Sequence, residues 1–249
     1  MSTAPLVSII TPCYNAQNFI AETIRSLLNQ TYKNWEMIIV DDSSTDNSVV
    51  IIEQYLIQEP RIKLLHNKQN LGVSKSRNKG VAASNGSYIA LLDSDDIWFP
   101  MKLEKQIQFM SNNNVLMSYT AYNTIDTNNN VLGYSHVKEK TTYNDLLRTS
   151  TIGTLTMIYD VKQLGKLYFE NIGHEDYLLK LNILKKIPYA QGINEILASY
   201  RIVDNSVSSN KFKAALWQWK IYRKMEKISL HKSIYYFIHY VYYGISKYK

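Results

Sequence analysis

A single cysteine, Cys13, in 249 residues leaves no partner for an internal disulfide and no thiolate set for a zinc site. That usage fits a reducing compartment, so a cytoplasmic location is expected. Glycine and proline are also scarce, at nine and five, and no repeat, low-complexity segment or flexible linker interrupts the chain. No apolar stretch approaches the ~20 residues that a spanning helix needs, and the N-terminal residues lack the order of a signal peptide. A soluble or membrane-surface protein is therefore expected. Apolar residues make up 45% of the chain, enough for the core of one large domain or of a domain with an appendage.

Acidic charge is nearly missing from one end. Residues 206–249 hold nine Lys/Arg and one acid, Glu226, whereas the rest of the chain holds 19 Lys/Arg and 20 Asp/Glu, so the overall +7 resides in a tail on a nearly neutral body. A basic tail alone does not mark a nucleic-acid binder, and no nucleic-acid partner is expected.

Apolar, β-branched runs at 6–11, 36–41, 62–65 and 88–93 alternate with helical spacings such as Phe19, Ile20, Thr23, Ile24, Leu27 and Leu28. Strands alternating with helices predict βαβ units and a mainly parallel sheet buried on both faces, an α/β fold. Pro100 suits the first turn of a further helix. Two strand-like runs flank Asp126–Asn130, which predicts a hairpin or long loop, and residues 151–159 and 196–201 are further strand candidates around a helix at "HEDYLLKLNILKK".

In such a sheet, ligands bind at the carboxyl ends of the strands. Here the four strands lead into "TPCYN", "DDSSTDNS", "NLGVSKSRN" and "DSDD". Asp93, Asp95 and Asp96 resist ionising together unless a cation neutralises them, and Mg2+ or Mn2+ prefers oxygen ligands completed by phosphate. A nucleoside diphosphate ligand follows, although the same acids can cap a helix near Pro100. Tyr14 can stack on a base, Asp41 or Asp42 can accept hydrogen bonds from a base or ribose, and Lys75 and Arg77 can meet phosphate.

"VSIITPCYN", "EMIIVDDSSTDNS", "NLGVSKSRNKG", "YIALLDSDDIWFP", "GHEDYLLKL" and "YRIVDNSVS" together resemble, in order and spacing over residues 5–208, the motifs of family 2 inverting glycosyltransferases of the bacterial cell-surface polysaccharide type. The resemblance implies a GT-A fold, a Rossmann-like, mainly parallel sheet with helices on both faces, followed here by a C-terminal helical tail. It implies that Pro12, Tyr14 and Asp42 hold the uracil of a UDP-sugar, with Asp41 in the same loop, and that Asn70, Lys75 and Arg77 lie near the nucleotide or its phosphates. Asp93 and Asp95 form the family's D-x-D, with Asp95 the direct Mn2+ or Mg2+ ligand, and Asp96 faces the donor sugar. Asp176 matches the catalytic base, while His174 and Arg201 are candidates for the diphosphate or acceptor side. Leu178, Lys180 and Asn182 depart from the acid, Trp and Arg that the family often carries there. Without the resemblance, Glu175 and Asp176 read as first-turn acids of a helix. The implied division is a nucleotide-sugar half (1–115), an acceptor and catalytic-base half (116–208) and a tail (209–249).

In the tail, Lys213, Lys220, Lys224 and Lys227 fall at helical spacing opposite Phe212, Leu216, Trp217, Trp219, Ile221 and Met225. The tyrosine-rich run 234–245 follows, too short to span a bilayer. A basic aromatic helix suggests docking on an anionic membrane, at the inner face of the cell membrane, where a lipid-linked saccharide acceptor would be reached. Closing the protein's own core is the competing use.

Overall fold

The computed structural model describes residues 4–203 and 211–246. Its first part is β1 (Val7–Cys13), α1 (Ile20–Leu28), β2 (Trp35–Asp41), α2 (Ser48–Leu56), β3 (Ile62–His66), α3 (Val73–Ala83), β4 (Tyr88–Leu91), β5 (Ile97–Trp98) and α4 (Lys102–Asn113). The second is β6 (Met117–Ile125), β7 (Val131–Ser135), β8 (Lys140–Thr141), α5 (Tyr143–Arg148), β9 (Ile158–Asp160), α6 (Val161–Leu164), α7 (Glu175–Leu184) and β10 (Ala190–Arg201). The tail forms α8 (Lys211–Lys220), a π turn over Ile221–Met225 and α9 (Leu230–Ser246).

The strands join one ten-stranded sheet in the order β3-β2-β1-β4-β9-β6-β10-β5, with β7 on β6 and β8 on β10. β1, β2, β3 and β4 are parallel, as expected. β9 then inserts antiparallel between β4 and β6, so the run 151–159 is not one strand but a short 3-10 turn, Thr154–Thr156, leading into β9. The candidate at 196–201 is the end of the longer β10.

Every residue of β1 and β2 is buried, because both faces of the sheet are covered. Ile10, Ile38, Val40 and Leu91 point to one face, under α3, α5 and α7; Val7, Ile9, Met37 and Ile39 point to the other, under α1, α2 and α4. A one-residue slip would exchange these sets, so the register is fixed by apolar side chains on both sides. Pro12 cannot donate to a ladder, and it falls past the last β1–β4 pair, Ile10 with Leu91. The turn after β6 closes through the Asp126 carboxylate, which accepts from the Asn128 and Asn130 amides at 2.8 and 2.9 Å. β6 and β7 thereby form the expected hairpin.

The tail is not one helix with a lysine face. Lys227 adopts a left-handed φ of 51°, which ends the helical run after the π turn and separates it from α9. The break lets the π turn bury Ile221 and Tyr222, whose hydroxyl donates to the Leu147 carbonyl at 2.6 Å. Glu226 accepts from Lys185 at 2.7 Å and from the Tyr143 hydroxyl at 2.5 Å. Trp217 lies on Gly173, where an added Cβ would stand 2.0 Å from the indole. The first stretch of the tail therefore closes the core; the side chain of Phe212 and the "YRIVDNSVS" residues from Asp204 lie outside the described residues.

Gly80 shows how tightly α3 sits on β1: a Cβ there would stand 2.6 Å from Ile10 Cγ2. Gly to Ala inside a helix ordinarily gains up to ~1 kcal/mol. Gly80→Ala is expected to reverse that sign and destabilise by about 1–3 kcal/mol through overpacking, measured by denaturant unfolding; a stabilised variant would contradict the close approach.

Candidate active site

The loops after β1 and β2 are stitched together. Ser44 Oγ, Ser48 Oγ and Asp46 accept from the backbone amides of Asn15, Ala16 and Gln17 at 3.0, 2.8 and 3.0 Å, and Asn15 Oδ1 accepts from the Thr45 amide at 2.8 Å. The polar run "DDSSTDNS" thus supplies partners that the turning β1 loop lacks. Tyr14, 50% exposed, stands free of the protein core at this edge, and Pro12 lies buried just before it. Asp41 is buried and accepts from the Ser44 amide at 3.3 Å.

Asp42 organises the third loop. Its carboxylate takes the Asn67 amide group at 2.7 Å and the Leu71 and Gly72 backbone amides at 2.9 and 2.8 Å. Burial works to raise its pKa, but these donors outweigh it and hold the carboxyl below the usual range. Gly72, at φ 88°, makes the turn into α3. Asn70 and Lys75 are exposed on that loop and the first turn of α3.

The acidic run after β4 is where charge is balanced. Arg77, 5% exposed, donates to Asp93 at 2.7 Å and to Glu175 at 2.8 Å, so the side chain expected near phosphate is engaged by two carboxylates from different halves of the chain. Asp95 has no such cation of its own, and burial followed by the Asp93 charge pushes its carboxyl up to about 6. Asp96, fully buried, is pushed well above the carboxylate range by burial, then by Asp95 and Asp93. One of its oxygens accepts from the Arg201 amide at 3.0 Å and the other, Oδ2, has no partner. Arg201 turns away from the open edge: its guanidinium donates to the Asp95 and Asp126 carbonyls, to Asn129 and to Glu22 at 2.7–3.0 Å. It fastens the acidic turn from behind.

Asp176 opens α7 beside this cluster. Its Oδ2 accepts from Lys180 at 2.8 Å and from the Thr154 hydroxyl at 2.5 Å, and Lys180 also reaches Thr154 at 2.9 Å. Burial disfavours the charge, yet Lys180 and Thr154 overcome it and hold the carboxyl far below the usual range. His174, in a left-handed conformation at φ 59°, meets Trp217 edge-on at 5.5 Å and faces Gln218 at 3.4 Å; burial lowers its pKa. The sequence motifs name neither Lys180 nor Thr154 as a site residue. The Asp176–Lys180 spacing of four was a readable signal, whereas nothing local pointed to Thr154.

The donor set fits a hard divalent cation. Among the described residues no cluster of three or more His, Cys, Asp or Glu could hold a metal ion, but Asp93 and Asp95 are oxygen donors two residues apart on one turn, and burial followed by the Asp93 charge disfavours a bare Asp95 carboxylate there. Two carboxylates leave an octahedral shell to be completed by diphosphate and water.

The sheet edge is thus linked, from Asp93 through Arg77 to Glu175, to the first turn of α7. Solved structures share this fold: that of S. aureus TarS 1-349 in complex with UDP-GlcNAc aligns with TM-score 0.74 at 22% identity, over 87% of this chain and 64% of that one. That of the mannosyltransferase PcManGT from Pyrobaculum calidifontis, in complex with GDP-Man and Mn2+, aligns at 0.69 with 16% identity, over 92% and 66%. The profile described as Glycosyl transferase family 2 matches residues 8–164, and the chain belongs to that family. It is 42% identical to TuaG of Bacillus subtilis, named for a glycosyltransferase of teichuronic acid biosynthesis, over 98% of this chain and 97% of that one. It is 41% identical to WfgD of Escherichia coli, named UDP-Glc:alpha-D-GlcNAc-diphosphoundecaprenol beta-1,3-glucosyltransferase, over 97% and 94%.

Removing the cation between Asp93 and Glu175 tests the electrostatic frame. Arg77→Gln is expected to lower unfolding stability by about 1–3 kcal/mol, because it strands two partly buried carboxylates, and Glu175→Gln in the same protein is expected to recover part of the loss. Denaturant unfolding of both proteins checks this; an unchanged Arg77→Gln protein would show that the pair carries no stability.

Proposed function

We propose that this family 2 glycosyltransferase is a metal-dependent, inverting enzyme that moves a hexose or N-acetylhexosamine from a UDP-sugar to a hydroxyl of a saccharide acceptor, in surface polysaccharide biosynthesis. A lipid-linked acceptor is favoured by the diphosphoundecaprenol in the name of WfgD, and it would set the enzyme to work at the inner face of the cell membrane. The observation that carries the reading is the chain of contacts Asp93–Arg77–Glu175, which ties the D-x-D pair to the residue next to Asp176.

In this reading residues 1–115 hold the donor. Tyr14 stacks on uracil between Pro12 and the Asp41–Asp42 loop, and Asn70 and Lys75 meet the nucleotide from the third loop. Arg77 acts first as the organiser of Asp93 and Glu175, and Arg201 as the fastening of the Asp95 turn rather than as a donor ligand. Asp93 and Asp95 would hold Mn2+ or Mg2+, which when bound supplies Lewis-acid stabilisation of the departing diphosphate. Asp96, expected to face the donor sugar, instead lies buried beneath them and holds the turn by accepting from the Arg201 amide. Residues 116–208 provide the acceptor side. Asp176 takes the proton of the acceptor hydroxyl as the oxygen attacks the anomeric carbon opposite the leaving group, so an α-linked donor gives a β-linked product.

Lys180 sets how strong a base Asp176 is. A carboxylate paired with a cation is always ionised at neutral pH but holds a proton weakly, so the acid limb of activity lies at low pH. Lys180→Met is expected to raise the Asp176 pKa and move the acid limb of kcat/KM to higher pH, because activity is lost as pH falls through that pKa. An unmoved limb would separate Lys180 from the base.

Two substitutions test the core assignment. Asp176→Asn is expected to keep UDP affinity while lowering turnover roughly 10²- to 10⁴-fold; lost UDP binding with turnover preserved at saturation would move Asp176 to the donor site. Asp95→Asn is expected to abolish transfer and metal-dependent UDP binding in a protein whose melt is not lowered, and full activity of the native enzyme in EDTA would end the metal assignment.

A further inference from the structure

The outer face of α9 has no evident role in the transfer reaction. Leu230, Ile234, Ile238 and Val241 are 48, 45, 63 and 40% exposed, and their spacing of four, four and three sets them along one side of the helix. The other side is occupied: Ser233 is buried and Tyr236 packs on the core, while Phe237, between the two, packs on the core and borders the groove. Across an apolar groove, Leu216, 55% exposed, and Trp219 of α8 extend the patch, with Trp219 edge-on to Phe237 at 5.4 Å. The result is a contiguous apolar face on an otherwise charged surface.

The tail that bears this face carries exposed charge of one sign. Lys220, Arg223, Lys224, Lys227 and Lys232 are all exposed, and the lone acid after residue 205, Glu226, is bound by Lys185 with its own side chain 1% exposed. A second copy of the chain would meet this rim with the same positive charge. An anionic lipid surface meets it with the opposite charge and takes the apolar side chains into the headgroup boundary. α9 has 17 residues, about 26 Å at 1.5 Å per residue, and among the described residues no helix is long and apolar enough to cross a membrane.

We infer that α9, with Leu216 and Trp219, docks on an anionic bilayer and lies in its interfacial plane. α8 connects this face to the site, because its Trp217 and Gln218 contact Gly173 and His174 at the start of α7. One helix diameter, about 10 Å, therefore separates the lipid-facing side of α8 from the helix that opens with Asp176. The purpose of docking rests on the lipid-linked acceptor proposed above; the docking itself does not.

The test is co-sedimentation of the full chain with vesicles of phosphatidylglycerol and phosphatidylethanolamine, beside vesicles of phosphatidylcholine alone. The native protein is expected to pellet with the anionic vesicles only, and less so in high salt. The double substitution Ile234→Glu with Ile238→Glu should cut that partition at least about tenfold while the melting temperature and UDP binding stay unchanged. Lys220→Gln with Lys224→Gln should weaken binding to anionic vesicles without touching the apolar face. Native protein left in the supernatant, or equal binding by the double variant, overturns the inference. So does an earlier melt of the double variant while the lysine variant binds normally, which would make the face part of the core. A lipid-free dimer in sedimentation equilibrium that the double variant abolishes would assign the face to self-association. Vesicle binding without transfer to any lipid-linked saccharide would keep the docking surface and remove the proposed acceptor.

Discussion

Like charges crowded on one sheet edge are the constraint around which the rest of this structure is arranged. Asp93, Asp95, Asp96, Glu175 and Asp176 would drive their loops apart if each were left to solvent alone. Arg77 answers two of them at once, because a planar guanidinium can donate in two directions from one buried position where an ammonium is a single point. Its partners lie 16 and 98 residues away in sequence. The ion pair that neutralises the edge therefore also joins the half built on β1–β4 to the half that contains α7, and electrostatic balance and tertiary closure become the same contact.

The remaining acids are treated in opposite ways. Asp176 is given Lys180 and held ionised far below the usual range; Asp95 is left with Asp93 for a neighbour and pushed up to about 6. By linkage, the Asp176 pairing stabilises the fold above the unfolded carboxylate pKa, and that contribution is lost as pH falls through the lower folded value. Asp95 has the reverse sign: ionising it costs stability, a cost that develops between its unfolded pKa and about 6. A site with one acid already paired and another still lacking a cation is asymmetric in what it can receive. The carboxyl of Asp95 can still gain from an added positive charge, whereas that of Asp176 already has one beside it.

Much of this was legible locally. Alternation of apolar runs with helical spacings located the parallel strands and their loops, since strand burial and helix amphipathicity are written in adjacent residues. The Asp126–Asn130 turn and the start of α7 at "GHED" were also readable. Non-local geometry was not. The partners of Arg77, the rotation of Arg201 onto the back of the Asp95 turn, and Thr154 beside Asp176 depend on residues far apart in sequence. The 3-10 turn ahead of β9 hid inside a run that looks like one strand. In the tail, a regular lysine spacing suggested one helix face, and the left-handed backbone at Lys227 broke it.

That break divides the tail into two segments with different surroundings. α8 and the π turn cover α7, seven of whose ten residues are buried, a pattern that needs covering on the sheet side and on the far side as well. α9 then returns along α5 with its inner side committed to packing and its outer side free of the core. The helix that carries Asp176 is thus enclosed by the segment that also bears the exposed apolar stripe. Burial of Ile221 and Tyr222 holds that segment in place without drawing on the stripe, so the stripe can remain exposed at no cost to the core that supports the site.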